Sequence, residues 1–245
     1  MLSVPGDLRR TSWPQSLFLL VLAGNVVLVA LGLLVAPSTL SSPEGVWDLL
    51  GAAGLQAVLA LLALVGPLSL DKSPHTAAIS LGFGALFAAI YLGFLARDFA
   101  GSTLGIDDGP LTLYALFVGV ALLSGAVASV RSRRLRTGVL AAVWALAIGT
   151  AIWSLGVLLL NYSLWGSPHW YQFWLQDGAI DDFQRSGSHD LGAFLLQDLQ
   201  GALFFHQVLS AGIGAIGGVV GGSVALGGTR LWRRLHRARP AATTA

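Results

Sequence analysis

The chain has 245 residues, of which 55% are hydrophobic and 11% charged, against about 25% charged in soluble domains, and its mean hydropathy is +0.73. This composition excludes an ordinary water-soluble globule. The absence of cysteine excludes disulfides, thiolate metal sites and cysteine nucleophiles.

Arg9 and Arg10 precede a first apolar run at 17–36. Its roughly 20 residues exceed the core of a secretory signal, about 7–15, and Pro37 follows directly, a poor cleavage context. It therefore reads as a retained first span behind a cytoplasmic segment, 1–16. Further runs follow at 47–68, 77–96, 111–130 and 137–160, each long enough for a helix to cross a hydrocarbon core of about 30 Å. The polar link between the second and third carries Asp71, Lys72 and Pro74, and the loop after the third carries Asp98, Asp107 and Asp108. Gly82, Gly84 and Gly93 offer a close-packing surface on the third helix. The fourth run ends in RSRRLR (131–136). After the fifth comes the one long connection, 161–200, then a last run at 201–228 and a basic tail, 229–245. The fold expected is an all-α bundle of six transmembrane helices, with a short amphipathic, aromatic segment before the last of them.

Charge asymmetry orients this bundle. With the N-terminus cytoplasmic, Arg9, Arg10, Lys72, the four arginines of 131–136 and Arg230, Arg233, Arg234, Arg237 and Arg239 all fall inside. Only Arg97 and Arg185 fall outside. Positive charge resists translocation, so both termini are expected in the cytoplasm, with a prokaryotic plasma membrane as the setting. Tryptophans agree, with Trp13 and Trp232 at the inner boundary and Trp47, Trp165, Trp170 and Trp174 at the outer one. Trp144 and Trp153, inside the fifth helix, are either packed or lipid-facing.

The last stretch, from Asp190 to Gly228, is too long for one crossing: as a single helix it would run roughly 58 Å. A surface segment to about Leu199 followed by a span from Gly201 resolves the excess, and a break among the glycines is the alternative. At 100° per residue, Gln200, Gln207, Ser210, Gly214, Gly217, Gly218, Gly221 and Ala225 share a face, and Gly222 continues a ladder with Gly214 and Gly218. In lipid, helices associate through close backbone approach and interhelical hydrogen bonds, so Ser210, Gly214, Gly217, Gly218, Gly221 and Gly222 read as a packing face. Its partner is the protein's own bundle, another membrane protein or a second copy of the chain.

Chemistry-bearing residues concentrate near the outer boundary. WYQFWL (170–175) suits a short helix on the membrane surface. Asp177, Asp181, Asp182, His189 and Asp190, with His169, are types that bind divalent cations, but they show no recognised ligand spacing, so no metal site is assigned and His169, Asp181, Asp182, His189 and Asp190 stay weak candidates. Asn161-Tyr162-Ser163 has the pattern of a glycosylation sequon at a helix end. GALF recurs at 84–87 and 201–204, as a three-plus-three inverted repeat would require. His206 could ligate a haem or chlorin metal or meet a quinone headgroup, but its first reading is a structural histidine bonded to Asp198, Gln207 or another helix, because buried polar groups normally find partners.

Asp198, Gln200, His206 and Gln207 together form the expected outer ligand pocket. The first reading of function is a structural or accessory membrane protein. The alternatives are a small-solute transporter or channel around Gln207 and a cofactor-binding protein using His206. The sequence specifies no cofactor and no catalytic residue. The lipid bilayer is the expected surrounding, and no nucleic-acid motif is present.

Overall fold

A computed structural model describes residues 13–65, 74–99 and 110–237. The link around Asp71 and Lys72, the loop with Asp107 and Asp108, the terminal Arg9, Arg10 and Arg239 and the side chain of Asp98 lie outside the described residues.

The chain is an all-α polytopic bundle. Its long helices are α1 (Trp13–Val35), α2 (Pro43–Leu64), α3 (Pro74–Phe99), α4 (Pro110–Ser132), α5 (Leu135–Leu164) and α8 (Leu191–Arg237), with two short helices, α6 (Pro168–Asp177) and α7 (Ala179–Ser186), between the last two. All six long helices are apolar and long enough to cross a membrane.

Local chemistry sets the boundaries. Ser42 accepts the Gly45 N–H at 2.9 Å and Pro43 opens α2, so this helix begins earlier than its apolar run. Ser167 caps α6 in the same way through the Trp170 N–H, and Gly178, at φ 89°, ends it. Between α4 and α5 the turn is a single left-handed residue, Arg133 (φ 58°), where the Ser132 hydroxyl accepts the Arg134 N–H at 3.2 Å.

α5 is the central stave. Gly138, Ala141, Ala142, Ala145, Leu146, Ala147, Ile148, Gly149, Thr150 and Ala151 are all buried, so it is covered on nearly every side. Its neighbours are α1, α3, α4 and α8. Small residues set the spacing: a methyl group on Gly84 of α3 would stand 2.7 Å from the Ala145 carbonyl, and one on Gly149 would stand 2.9 Å from the Gly84 carbonyl. Gly82 and Gly93 meet nothing within 4 Å, so of the three glycines expected to form a packing surface on this helix only Gly84 does so. Trp144 and Trp153 both point inward, the first edge-on to Phe18 and the second stacked on Tyr91 with centroids 4.7 Å apart.

α8 packs parallel to α4 and antiparallel to α5. A methyl group on Gly214 would stand 2.8 Å from Val143 Cα, one on Gly217 2.5 Å from Ala121 Cβ and one on Gly218 2.8 Å from Val139 Cα. Gly221 would meet the Leu122 carbonyl, and Gly222 would meet Ser129 Oγ. These contacts put the C-terminal half of α8 beside the RSRRLR turn, so the two arginine clusters share one end of the bundle.

The expected surface segment before residue 200 is corrected. α8 is one 47-residue helix, roughly 70 Å at 1.5 Å per residue, and it runs unbroken through the glycines. The excess length is accommodated because its first turns lie against protein. Leu195, Leu196, Leu199 and Gln200 are buried, with Leu196 seated on Gly32 of α1. Trp170 and Trp174 likewise face the protein interior, whereas Trp13, Trp47 and Trp232 are exposed as boundary residues would be. Phe87 is fully buried but Phe204 is 41% exposed, so the two GALF stretches occupy unlike surroundings.

Gly218→Ala should lower stability by roughly 1–3 kcal/mol through overpacking against a backbone that cannot retreat. Gly212→Ala and Gly227→Ala, which face open space, should cost nothing. Thermal unfolding in mild detergent checks this, and equal melting of all three variants would contradict the packing described.

Candidate functional site

A cavity of about 320 Å³ lies at the α6 end of the bundle, between α3, α4, α5, α6 and α8. Tyr91, Phe94, Trp153, Phe173 and Trp174 supply aromatic walls, Leu95, Leu113, Val157 and Leu199 aliphatic ones, and Asn161, Asp177, Asp198 and His206 polar groups. A second hollow of about 390 Å³ on the α2 side is lined by Asp48, Phe194, Gln197, Gly201 and Phe205. The two share Asp198, Ala202 and His206. These three residues recur every four positions, so they form one stripe of α8 that borders both spaces.

α6 forms part of the wall because two tryptophans anchor it. Trp170 Nε1 donates to Asn161 Oδ1 at 2.9 Å, and Trp165 packs against the Trp170 ring at 4.8 Å. Asn161 is therefore a buried structural residue, and in this fold its side chain is inaccessible to glycosylation. One turn on, Trp174 and Asp177 reach the cavity. Burial and the neighbouring Asp182 carboxylate push the Asp177 carboxyl above its ordinary range.

His206 bonds neither Asp198 nor Gln207. Its Nδ1 pairs with the Ala202 carbonyl of its own helix at 2.8 Å. A carbonyl can only accept, so Nδ1 carries a proton, and in that tautomer Nε2 is the ring's acceptor. The imidazole stands 5.0 Å from Trp153 by ring centroids and also neighbours Tyr91 and Phe117.

Of the four residues expected to form one pocket, Asp198 and His206 come together, and Gln200 and Gln207 turn to another face. Gln207 is buried, accepts from Gln56 Nε2 at 2.8 Å and donates to Ser154 Oγ at 3.2 Å. Ser210 lies 3.3 Å from Thr150 Oγ1. The α5–α8 register set by these pairs brings Asn161 level with Gln200, whose two amide atoms have no hydrogen-bond partner among the described residues. Tyr91, Trp153, Trp174, Asn161 and Asp177 complete the site; in the sequence Asp177 stands out only as a cation-binding type, Asn161 only as a sequon and Trp174 only as a boundary residue, and none is assigned to this pocket. The only signal available was their one-turn spacing, Tyr91 with Phe94 and Phe173 or Trp174 with Asp177.

The walls contain orphaned donors. Trp153 Nε1, Trp174 Nε1 and Asn161 Nδ2 are each buried without an acceptor among the described residues. No three metal-binding side chains gather among the described residues. Of the weak metal candidates, Asp182 pairs with Arg185, and Asp190 accepts from Ser38 Oγ and from the Ala193 N–H. His169 opens α6, Asp181 sits on α7 and His189 precedes α8. No family model, curated protein or solved structure matches the chain.

Asp190 is the N-cap of α8. The Ser38 hydroxyl, foremost, and the backbone N–H of Ala193 hold its carboxyl below the ordinary value of 3.8. A lowered folded value contributes stability that is complete above the ordinary value and lost as the pH falls through the lowered one. Asp190→Ala should therefore cost about 1 kcal/mol at neutral pH, and the gap in melting temperature should close only in strong acid. A gap that widens as acid is added would refute the assignment.

Proposed function

We propose that the chain is a membrane-embedded binding protein, which holds a small amphipathic molecule in the aromatic cavity beneath α6. The observation that carries this reading is the lining of one cavity, in which the aromatic walls of Tyr91, Phe94, Trp153, Phe173 and Trp174 meet the polar groups of Asn161, Asp177, Asp198 and His206. His206 Nε2 adds an acceptor on the facing helix. Apolar walls with a few convergent polar groups are the usual composition of a small-molecule site.

The cavity volume, about 320 Å³, falls at the lower end of the range for ligand pockets, roughly 300–1,000 Å³. This suits a small fused-ring aromatic or a short headgroup and disfavours the haem or chlorin that His206 suggested. Burial of Gln200, Gln207 and Ser210 disfavours a channel along that face. The structural reading draws support from the glycine face of α8, which packs against α4 and α5 of the same chain. A partner subunit or second copy would need a different surface, such as the exposed stripe of Ile216, Val220 and Val224. The placement of both arginine clusters at one end favours a cytoplasmic location for that end, with the cavity toward the outer face.

Ala202 borders both hollows and is the position at which a larger side chain fills them. A neutral aromatic probe, 1-aminoanthracene, should bind the purified chain in lipid nanodiscs saturably, with a fluorescence increase. Ala202→Phe should weaken that binding about tenfold, the equivalent of about 1.4 kcal/mol, without lowering the melting temperature. Non-saturable partitioning that is identical for both proteins would sink the proposal.

A further inference from the structure

Resting on the binding reading above, we propose that the cavity selects an organic ammonium group, seated between the carboxylates of Asp177 and Asp198 against the rings of Trp153 and Trp174. Asp177 and Asp198 line the cavity, Asp48 lines the adjoining hollow on the other side of Asp198, and neither lining includes a lysine or arginine. Arg97, one turn past Phe94, lies over that ring at 5.8 Å and is not a lining residue. The space between the acids is therefore negative without a resident cation in its walls.

The walls decide what kind of cation fits. An inorganic divalent ion needs several oxygen ligands at short range, and no group of three metal-binding side chains occurs among the described residues. Aromatic faces instead attract cations through the ring quadrupole, most strongly when the cation is desolvated. An alkylated ammonium is weakly hydrated and surrenders little on leaving water. Tyr91, Trp153, Phe173 and Trp174 provide such rings.

A soluble alkylammonium and the headgroup of a zwitterionic lipid share this chemistry.

The test uses the full chain in phosphatidylglycerol nanodiscs, titrated with choline and with 3,3-dimethylbutan-1-ol, its uncharged carbon isostere, by calorimetry and tryptophan fluorescence. Choline should bind saturably and the isostere about tenfold more weakly. Asp177→Asn and Asp198→Asn should each weaken choline about tenfold and shrink its advantage over the isostere to the same extent. A second arm compares short-chain phosphatidylcholine with short-chain phosphatidylglycerol. Tighter binding of phosphatidylcholine than of choline identifies a lipid headgroup as the source, and the reverse identifies a soluble cation. Equal binding of choline and its isostere, undiminished binding by both variants, or no binding of either choline or phosphatidylcholine overturns the ammonium assignment. In each of those cases, persistent 1-aminoanthracene binding leaves the cavity reading intact, and its loss removes both.

Discussion

The close approach of α8 to α4 and α5 is the constraint on which the rest of the bundle depends. From Gly214 to Gly222 the helices meet backbone to backbone, and a single methyl group at Gly218 would come within 2.8 Å of Val139 Cα. Hydrophobic side chains gain little over lipid tails by touching one another, so contact at this range, with its dispersion and weak polar terms, supplies much of the association. Where the glycines stop, the spacing changes. Toward the α6 end, Phe117, Trp153, Tyr91 and Leu199 stand between the same helices, and the cavity lies among them. One end of the bundle is closed by the absence of side chains and the other is held apart by rings.

Polar groups are distributed according to what lipid tolerates. Inside the spans they are uncharged amides and hydroxyls, and most have partners: Asn25 donates to the Ala151 carbonyl, Gln15 to the Ala63 carbonyl, and Gln56, Gln207 and Ser154 form a relay across α2, α8 and α5. Such bonds contribute on average about 0.6 kcal/mol each in a membrane, and they also fix register. The exceptions are spread along the bundle, from Ser129 and Asn25 to Gln200, and at the cavity Trp153, Trp174 and Asn161 stand beside the carboxylates of Asp177 and Asp198.

α6 adds a wall to the open end of the bundle through Phe173, Trp174 and Asp177. The sequence 168–175 reads as amphipathic and aromatic, and a surface helix is the natural expectation. Trp170 turns inward because Asn161, at the end of α5, offers the carbonyl oxygen that its indole takes, and Trp174, one turn on, follows on the same face. The first turns of α8 are buried against other elements, with Leu196 seated on Gly32 of α1.

Periodicity, apolar run length and the segregation of arginine were enough to read six helices, their order and the shared end of the arginine clusters, because these follow from the solvation of single residues in lipid or water. The sequence also pointed to Asp198 and His206, since a carboxylate and an imidazole near an apolar boundary stand out in any list. Helical spacing also set Gln200 and Gln207 roughly opposite Asp198, on the glycine face, although all four were expected in one pocket; it could not say that only Gly84 of three glycines in α3 is used, or that α8 is unbroken. Those outcomes depend on which neighbour covers each face. The aromatic walls were likewise invisible, because Tyr91, Trp153 and Trp174 are ordinary apolar positions until five helices bring them to one point. Burial is a property of contacts between distant segments, and only the tertiary structure decides it.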